Sequence, residues 1–185
     1  IRGLDVVGAR NIANVISNLF GVVYLQLGAA TAIIIGNKLG AGKLKEARDT
    51  DNKLLVFCVF VASCVAIVML PFAYGFPKLY NTTDEIRSLA SYLIIVTAAA
   101  MPMWAYTNVC YFTLRSGGRT TITFLFDFIF GWVFQIPLAF ILCYKTTMDF
   151  KLIFAIVTFL ELLKVIIGYF MVRSDMWIVN IVDKE

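Results

Sequence analysis

The sequence contains no histidine, and only 15% of its residues are charged. The first absence removes the usual general base for a serine or cysteine nucleophile and excludes histidine-dependent zinc motifs such as HExxH. The four cysteines, Cys58, Cys64, Cys110 and Cys143, form no CxxC pair. They read as small apolar residues within hydrophobic runs, not as metal ligands or a disulfide framework. An aspartyl protease needs two facing acids, and Asp127 with Glu161 is a poor match. The chain therefore reads as no enzyme, with no catalytic residues and no metal centre. Scarcity of charge excludes more. A soluble domain carries about 25% charged and 45–50% apolar residues, whereas 61% of this chain is hydrophobic and 15% aromatic. That surplus cannot be enclosed in one water-soluble core of 185 residues. The class is an integral membrane protein whose first partner is the lipid bilayer. The net charge of +4 lies mostly in short gaps between apolar runs, so it orients the chain in the membrane and forms no nucleic-acid-binding face.

Five runs are long enough to cross. A spanning helix needs about 20 mostly apolar residues, since the hydrocarbon core is about 30 Å thick. No charge occurs from 11 to 37, from 54 to 77 or from 88 to 114. The run 120–144 holds only Asp127, and 152–172 holds Glu161 and Lys164. Lipid-spanning strands alternate apolar and polar residues, which these runs do not do. The expected architecture is all-α: one polytopic bundle of five transmembrane helices. Pro71, Pro102 and Pro137 then mark kinks or breaks within spans. No low-complexity segment, heptad or internal repeat is present, so no second domain is expected. The chain opens at Ile1 without an initiator Met or a signal-peptide pattern, and reads as a fragment.

Basic residues in the short loops give the orientation. Arg2, Arg10, Lys78, Arg87, Lys145 and Lys151 fall on one side. Lys38, Lys43, Lys45, Arg48, Lys53, Arg115, Arg119, Arg173 and Lys184 fall on the other. The second, richer side is expected to be cytoplasmic, with the C-terminus, in a multi-pass protein of the cell membrane.

The loop Gly36-Asn37-Lys38-Leu39-Gly40-Ala41-Gly42-Lys43 suggests a phosphate loop, but five residues separate Gly36 from Gly42 and Leu44 follows Lys43, so the pattern fails. It reads instead as a helix end, followed by a short charged surface helix over Leu44 to Asp51. Within the spans, polar residues fall on helical stripes. Asn11, Asn14 and Asn18 lie three and four apart, with Gly21, Leu25 and Gly28 continuing their face. Thr123, Asp127, Gly131 and Gln135 recur every fourth residue, and Thr158, Glu161, Val165 and Gly168 share another face. Polar groups lacking water must face other helices or a wet cavity. Asn14, Asn18, Thr123, Gln135 and Tyr106 are the expected cavity-lining residues. Asp127 and Lys164 should lie level, about 10 and 12 Å in from the same side, with Glu161 deeper and able to pair with Lys164 on its own helix. The three form either a self-neutralised structural triad or a cation or proton pathway. Met101, Met103, Trp104, Tyr106, Tyr111 and Phe112 around Pro102 would suit flat cationic molecules, or simply pack.

Several segments together resemble a known family. They are the Asn11-Ile-Ala-Asn-Val-Ile-Ser-Asn18 run, Gly28-Ala-Ala-Thr-Ala-Ile-Ile-Ile-Gly36, the Leu39-Gly-Ala-Gly-Lys43 turn, Leu114-Arg-Ser-Gly-Gly-Arg-Thr120, and Phe126-Asp127 followed by Ile136-Pro-Leu-Ala139. With Glu161-Leu-Leu-Lys164 and Arg173-Ser-Asp-Met-Trp177, they resemble multidrug and toxic compound extrusion (MATE) transporters over essentially the whole chain. The resemblance implies a twelve-helix antiporter of two six-helix lobes, residues 1–185 being part of the C-terminal lobe, helices eight to twelve. Its partner would be an N-terminal lobe missing from this sequence. It also implies export of drugs or organic cations in exchange for Na⁺ or H⁺. Some members place an essential Asp in the tenth helix, but the corresponding span, Ser88 to Leu114, has no acid. Two other readings stay open: a flippase for lipid-linked sugars of the same superfamily, which would need a wider and more charged cavity, and a non-transporting membrane scaffold.

Overall fold

A computed structural model describes residues 3–179; Arg2 and Lys184 of the charge count lie outside them. Among the described residues the chain is helical almost throughout, because long apolar runs hold few helix breakers and every backbone bond in lipid must be satisfied within its own segment. The helices are α1 (Gly3–Gly40), α2 (Leu44–Gly75), α3 (Asp84–Ser116), α4 (Thr120–Ile129), α5 (Ile136–Lys145), α6 (Phe150–Phe159) and α7 (Leu162–Arg173). A 3₁₀ turn, Phe76–Leu79, follows α2, and a π turn, Phe130–Gln135, joins α4 to α5 into one rod. Four helical segments are long and apolar enough to cross a membrane: Gly3–Gly40, Leu44–Leu79, Asp84–Ser116 and Thr120–Lys145.

Two boundaries differ from expectation. The segment from Leu44 to Asp51 is not a separate surface helix; it is the start of α2, which runs unbroken through Pro71. The fifth span is not continuous either. At Leu160 and Glu161 the bonds tighten, with Glu161 N–H on Thr158 O at 3.4 Å and Leu163 N–H on Leu160 O at 3.1 Å. Such i to i+3 closure ends α6 and restarts the chain as α7. Pro102 lies inside α3, while Pro137 stands at the second position of α5, directly after the π turn. A proline there has no N–H to give and crowds the carbonyl four residues back, so the wider π geometry upstream accommodates it.

α3 is the central helix, packed against α1, α2, α6, α7 and α4. Its buried face is rich in small residues, Ala90, Ala98, Ala100 and Ala105, which lets neighbouring helices come close. α1 and α3 pack tightly at Gly28 of α1, where an added Cβ would overlap Asn108 Oδ1 and Phe112 of α3. Two apolar clusters follow from this packing. One joins α1, α2 and α3 through Ile12, Ile16, Met69, Leu93 and Met101 near the end that bears the Phe76–Leu79 turn. The other gathers Ile35, Leu39, Leu55, Leu114, Val172 and Trp177 at the opposite end, which we call the tail end. The α4–α5 rod leaves Phe124, Phe128, Trp132, Phe134 and Phe140 exposed on its outer side.

At the start of α3, Thr83 is the N-cap, its hydroxyl accepting from Ile86 N–H, with Asp84 and Glu85 in the first turn. That arrangement satisfies an orphan donor and sets negative charge against the positive helix end. Arg87 then fastens the turn, pairing with Asp84 at 2.9 Å and donating to the Tyr80 carbonyl at 3.0 Å.

Candidate functional site: a polar cavity and an ion pair beside α3

The stripe on α4 that begins at Thr123 faces inward, since Thr123 is fully buried while Phe124, Leu125 and Phe128 on the other side are exposed. One turn further, Asp127 meets two donors on one oxygen. Lys164 Nζ lies 2.9 Å from Asp127 Oδ1, and Tyr111 O–H donates to the same atom at 2.7 Å. Lys164 also lies 4.9 Å from the centre of the Phe130 ring, which adds cation–π attraction. Three helices, α3, α4 and α7, are thus tied at one point, and the aliphatic stem of Lys164 carries its charge to an anion instead of to lipid.

Glu161 stands apart from this pair. Among the described residues no Glu161–Lys164 ion pair is present. The break between α6 and α7 places Glu161 at the turn, and its side chain lines a cavity of about 230 Å³. Asn14 and Asn18 from α1, Trp104 from α3, Gln135 from the π turn and Thr158 from α6 share that wall. Arg10 also lines it, its guanidinium 5.1 Å above the Phe154 ring. Trp104 Nε1 is buried and turned toward the Glu161 carboxyl. The cavity therefore offers one carboxyl, one guanidinium, several neutral amides and hydroxyls, and the aromatic faces of Tyr24 and Trp104, whose centroids are 6.5 Å apart. The aromatic faces, with the Glu161 carboxyl on one wall, can take the apolar and cationic parts of an amphipathic molecule, while Arg10 balances the charge of the cavity as a whole.

Not every expected residue arrives there. Asn14, Asn18 and Gln135 share the cavity, but Asn11 is exposed outside it. Thr123 is packed away, its hydroxyl bound to the Thr120 carbonyl at 2.8 Å, because a β-branched residue in the first turn of α4 satisfies itself on its own helix. Tyr106 lines a different cavity toward the tail end, with Tyr169 and Asp51; it lies two residues from Trp104 and so points to another side of α3. Met101 is in the core. Two partners went unread in the sequence: Tyr111 as the second donor to Asp127, and Asp51, a buried acid paired with Thr113. The helical rule reaches neither contact, because both cross between helices.

A family model described as MatE matches residues 1–141. The chain belongs to the MatE family. Among curated relatives, a "Multidrug resistance protein MdtK" of Proteus mirabilis is 29% identical over 140 residues, 76% of this chain and 31% of its own length. A "Multidrug resistance protein NorM" of Aliivibrio fischeri is 28% identical over 140 residues, covering 76% of this chain and 30% of that protein. A "Multidrug resistance protein MdtK" of Pectobacterium atrosepticum is likewise 29% identical over 140 residues. The chain thus spans about a third of the length of the MatE relatives it matches. No solved structure matches it. The MatE match takes in Asn14, Asn18, Asp127 and Gln135 and ends before α6, so Glu161 and Lys164 belong to the segment beyond it.

Proposed function

We propose that this chain is part of a secondary active antiporter that exports drugs or organic cations in exchange for Na⁺ or H⁺, and that residues 1–185 form part of its C-terminal lobe. The observation that carries this reading is the cavity itself: Glu161 at a helix break, facing Asn14, Asn18 and Gln135 from two other helices. Helices broken at a polar cavity are how transporters expose backbone and carboxyl groups to an ion or substrate without exposing them to lipid. The names of the relatives, multidrug resistance proteins, support the substrate class. In this reading Glu161 attracts the cation, Asn14, Asn18 and Gln135 orient it, and Trp104 supplies an aromatic wall. Asp127, Lys164 and Tyr111 brace the moving helices beside it. The tail end faces the cytoplasm, as the loop charges imply.

Export of a fluorescent organic cation by the intact protein in everted vesicles tests this. Glu161→Gln, which keeps shape and removes charge, should lower transport at least tenfold with expression unchanged. Transport at the wild-type rate would remove Glu161 from the pathway and leave the cavity a packing defect. Cysteines introduced at Asn14 and Gln135 separate a transporter from a scaffold, because a water-soluble thiol reagent reaches them only if the cavity is wet.

A further inference from the structure

The tail end holds a buried acid that the proposed transport path does not use. Asp51 precedes the apolar run of α2 that begins at Leu54, yet it is 1% exposed. Its Oδ1 accepts from Thr113 Oγ1 of α3 at 2.5 Å, and its Oδ2 is buried without any hydrogen-bond partner. It lines a cavity of about 480 Å³ between α2, α3 and α7. The charged and titratable groups around it are Arg48 and Cys58 on its own helix, Tyr106 and Cys110 on α3, and Tyr169 and Arg173 on α7. From α1 the neutral Thr31 approaches, 4.0 Å from Cys58 Sγ. Both cations are committed elsewhere. Arg48 pairs with Asp175 Oδ2 at 3.0 Å, and Arg173 donates to the Tyr169 hydroxyl. Among the described residues no cation lies within ion-pair distance of Asp51.

A carboxylate sealed in this way, with one oxygen unsatisfied and no counter-charge, is strongly disfavoured. A metal ion does not fit, because no group of three or more ligating His, Cys, Asp or Glu side chains exists among the described residues. An organic cation cannot reach an oxygen buried this deeply. A proton can.

The groups around Asp51 also close the tail end. The turn after α7 is held by the Arg48–Asp175 pair and by Arg119 Nε donating to the Met176 carbonyl at 3.0 Å. Trp177 is plugged into the core, its indole donating to Val172 O at 2.9 Å and its backbone pressed on Gly117, where no Cβ fits. Asp175 itself sits at φ 56, a conformation that costs a non-glycine residue energy and persists only while its contacts hold.

We propose that Asp51 is a proton-binding site that latches the tail end: protonated, it permits the Arg48–Asp175 strap and the seated Trp177; deprotonated, it draws Arg48 away and releases the strap. The chemistry is a single transfer, the carboxylic acid O–H giving its proton to water in the cavity and leaving a carboxylate. That carboxylate lies one helical turn from Arg48, at i and i+3, and competes with Asp175 for the same guanidinium.

Two measurements on the intact protein in lipid discs test this. Infrared difference spectra between wild type and Asp51→Asn near neutral pH should show a protonated carboxyl carbonyl band in the wild type alone; its absence would overturn the proposal. Amide hydrogen exchange across 172–178, corrected for the intrinsic pH dependence, should rise about fivefold in the wild type as pH increases, the change expected from losing an ion pair of about 1 kcal/mol. Asp51→Asn should hold the tail protected throughout. Thr113→Val keeps the acid but removes the donor to its ionised form, so it should move the wild-type transition to higher pH. Exchange that is independent of pH in the wild type, or a transition that persists in Asp51→Asn, would overturn the latch.

Discussion

Removing Asp127 should cost more than removing its partner Lys164, and the reason lies in what each leaves behind. At 2.9 Å and an effective dielectric of about 20, the two charges attract by about 6 kcal/mol before desolvation is subtracted. Desolvation takes back much of that, and more from Lys164, whose side chain is 14% exposed, than from Asp127 at 40%. Asp127→Asn therefore leaves a largely buried ammonium without its paired counter-charge, beside the Phe130 ring. Lys164→Met strands a carboxylate that is partly open and still receives the Tyr111 hydroxyl. Breaking a fully buried pair costs about 3–5 kcal/mol; we expect about 3 for Asp127→Asn and, after discounting for exposure, about 1–2 for Lys164→Met. The double variant should fall near or below the milder single change, giving a coupling of about 3 kcal/mol or more in the double-mutant cycle. Unfolding of the intact protein in mixed micelles, followed by far-UV circular dichroism, supplies the four free energies. Additive single effects, or a larger loss for Lys164→Met, would refute the pairing as the source of stability.

Three further outcomes follow from packing. Gly28→Leu should separate α1 from α3, since even a methyl group meets Asn108 and Phe112 there; a loss of at least about 2 kcal/mol in the same unfolding assay is expected, and wild-type stability would contradict the close crossing. Trp177→Ala should cost about 3–5 kcal/mol, the usual range for emptying a buried tryptophan site, and should speed proteolysis after Arg173. Gly117→Ala should unseat the same tail through its clash with the Trp177 backbone, so tail proteolysis should rise in that variant too while the fold of α1 to α3, read by circular dichroism, stays intact.

The helices were legible because lipid leaves few alternatives: uncharged stretches of this length have one way to satisfy their backbone. The inward stripes on α4 and α7 were legible for the same reason, since every fourth residue shares a face and only one face of each rod can meet its neighbours. The break at Leu160 and Glu161 carries neither proline nor glycine, so nothing local announced it, and with it went the expected pairing of Glu161 with Lys164. Asp51 is the more instructive miss. Its neighbours Lys45, Glu46, Arg48 and Asp49 give the segment the look of a solvated surface, and charge density governed the reading. Yet the buried face of α2 runs Ala47, Asp51, Leu55, Cys58, Ala62, Ala66, Met69 and Ala73, spaced by three and four throughout. Extended two turns backward, the apolar periodicity of the span passes through Asp51 and skips Lys45, Glu46, Arg48 and Asp49. Phase, carried past the edge of the hydrophobic run, separates an acid that faces the core from acids that face water. The same test applied to α1 keeps Gly21 and Gly28 on the buried side and turns Leu25 outward, so in this chain helical phase says more about which polar residues are enclosed than polarity itself does.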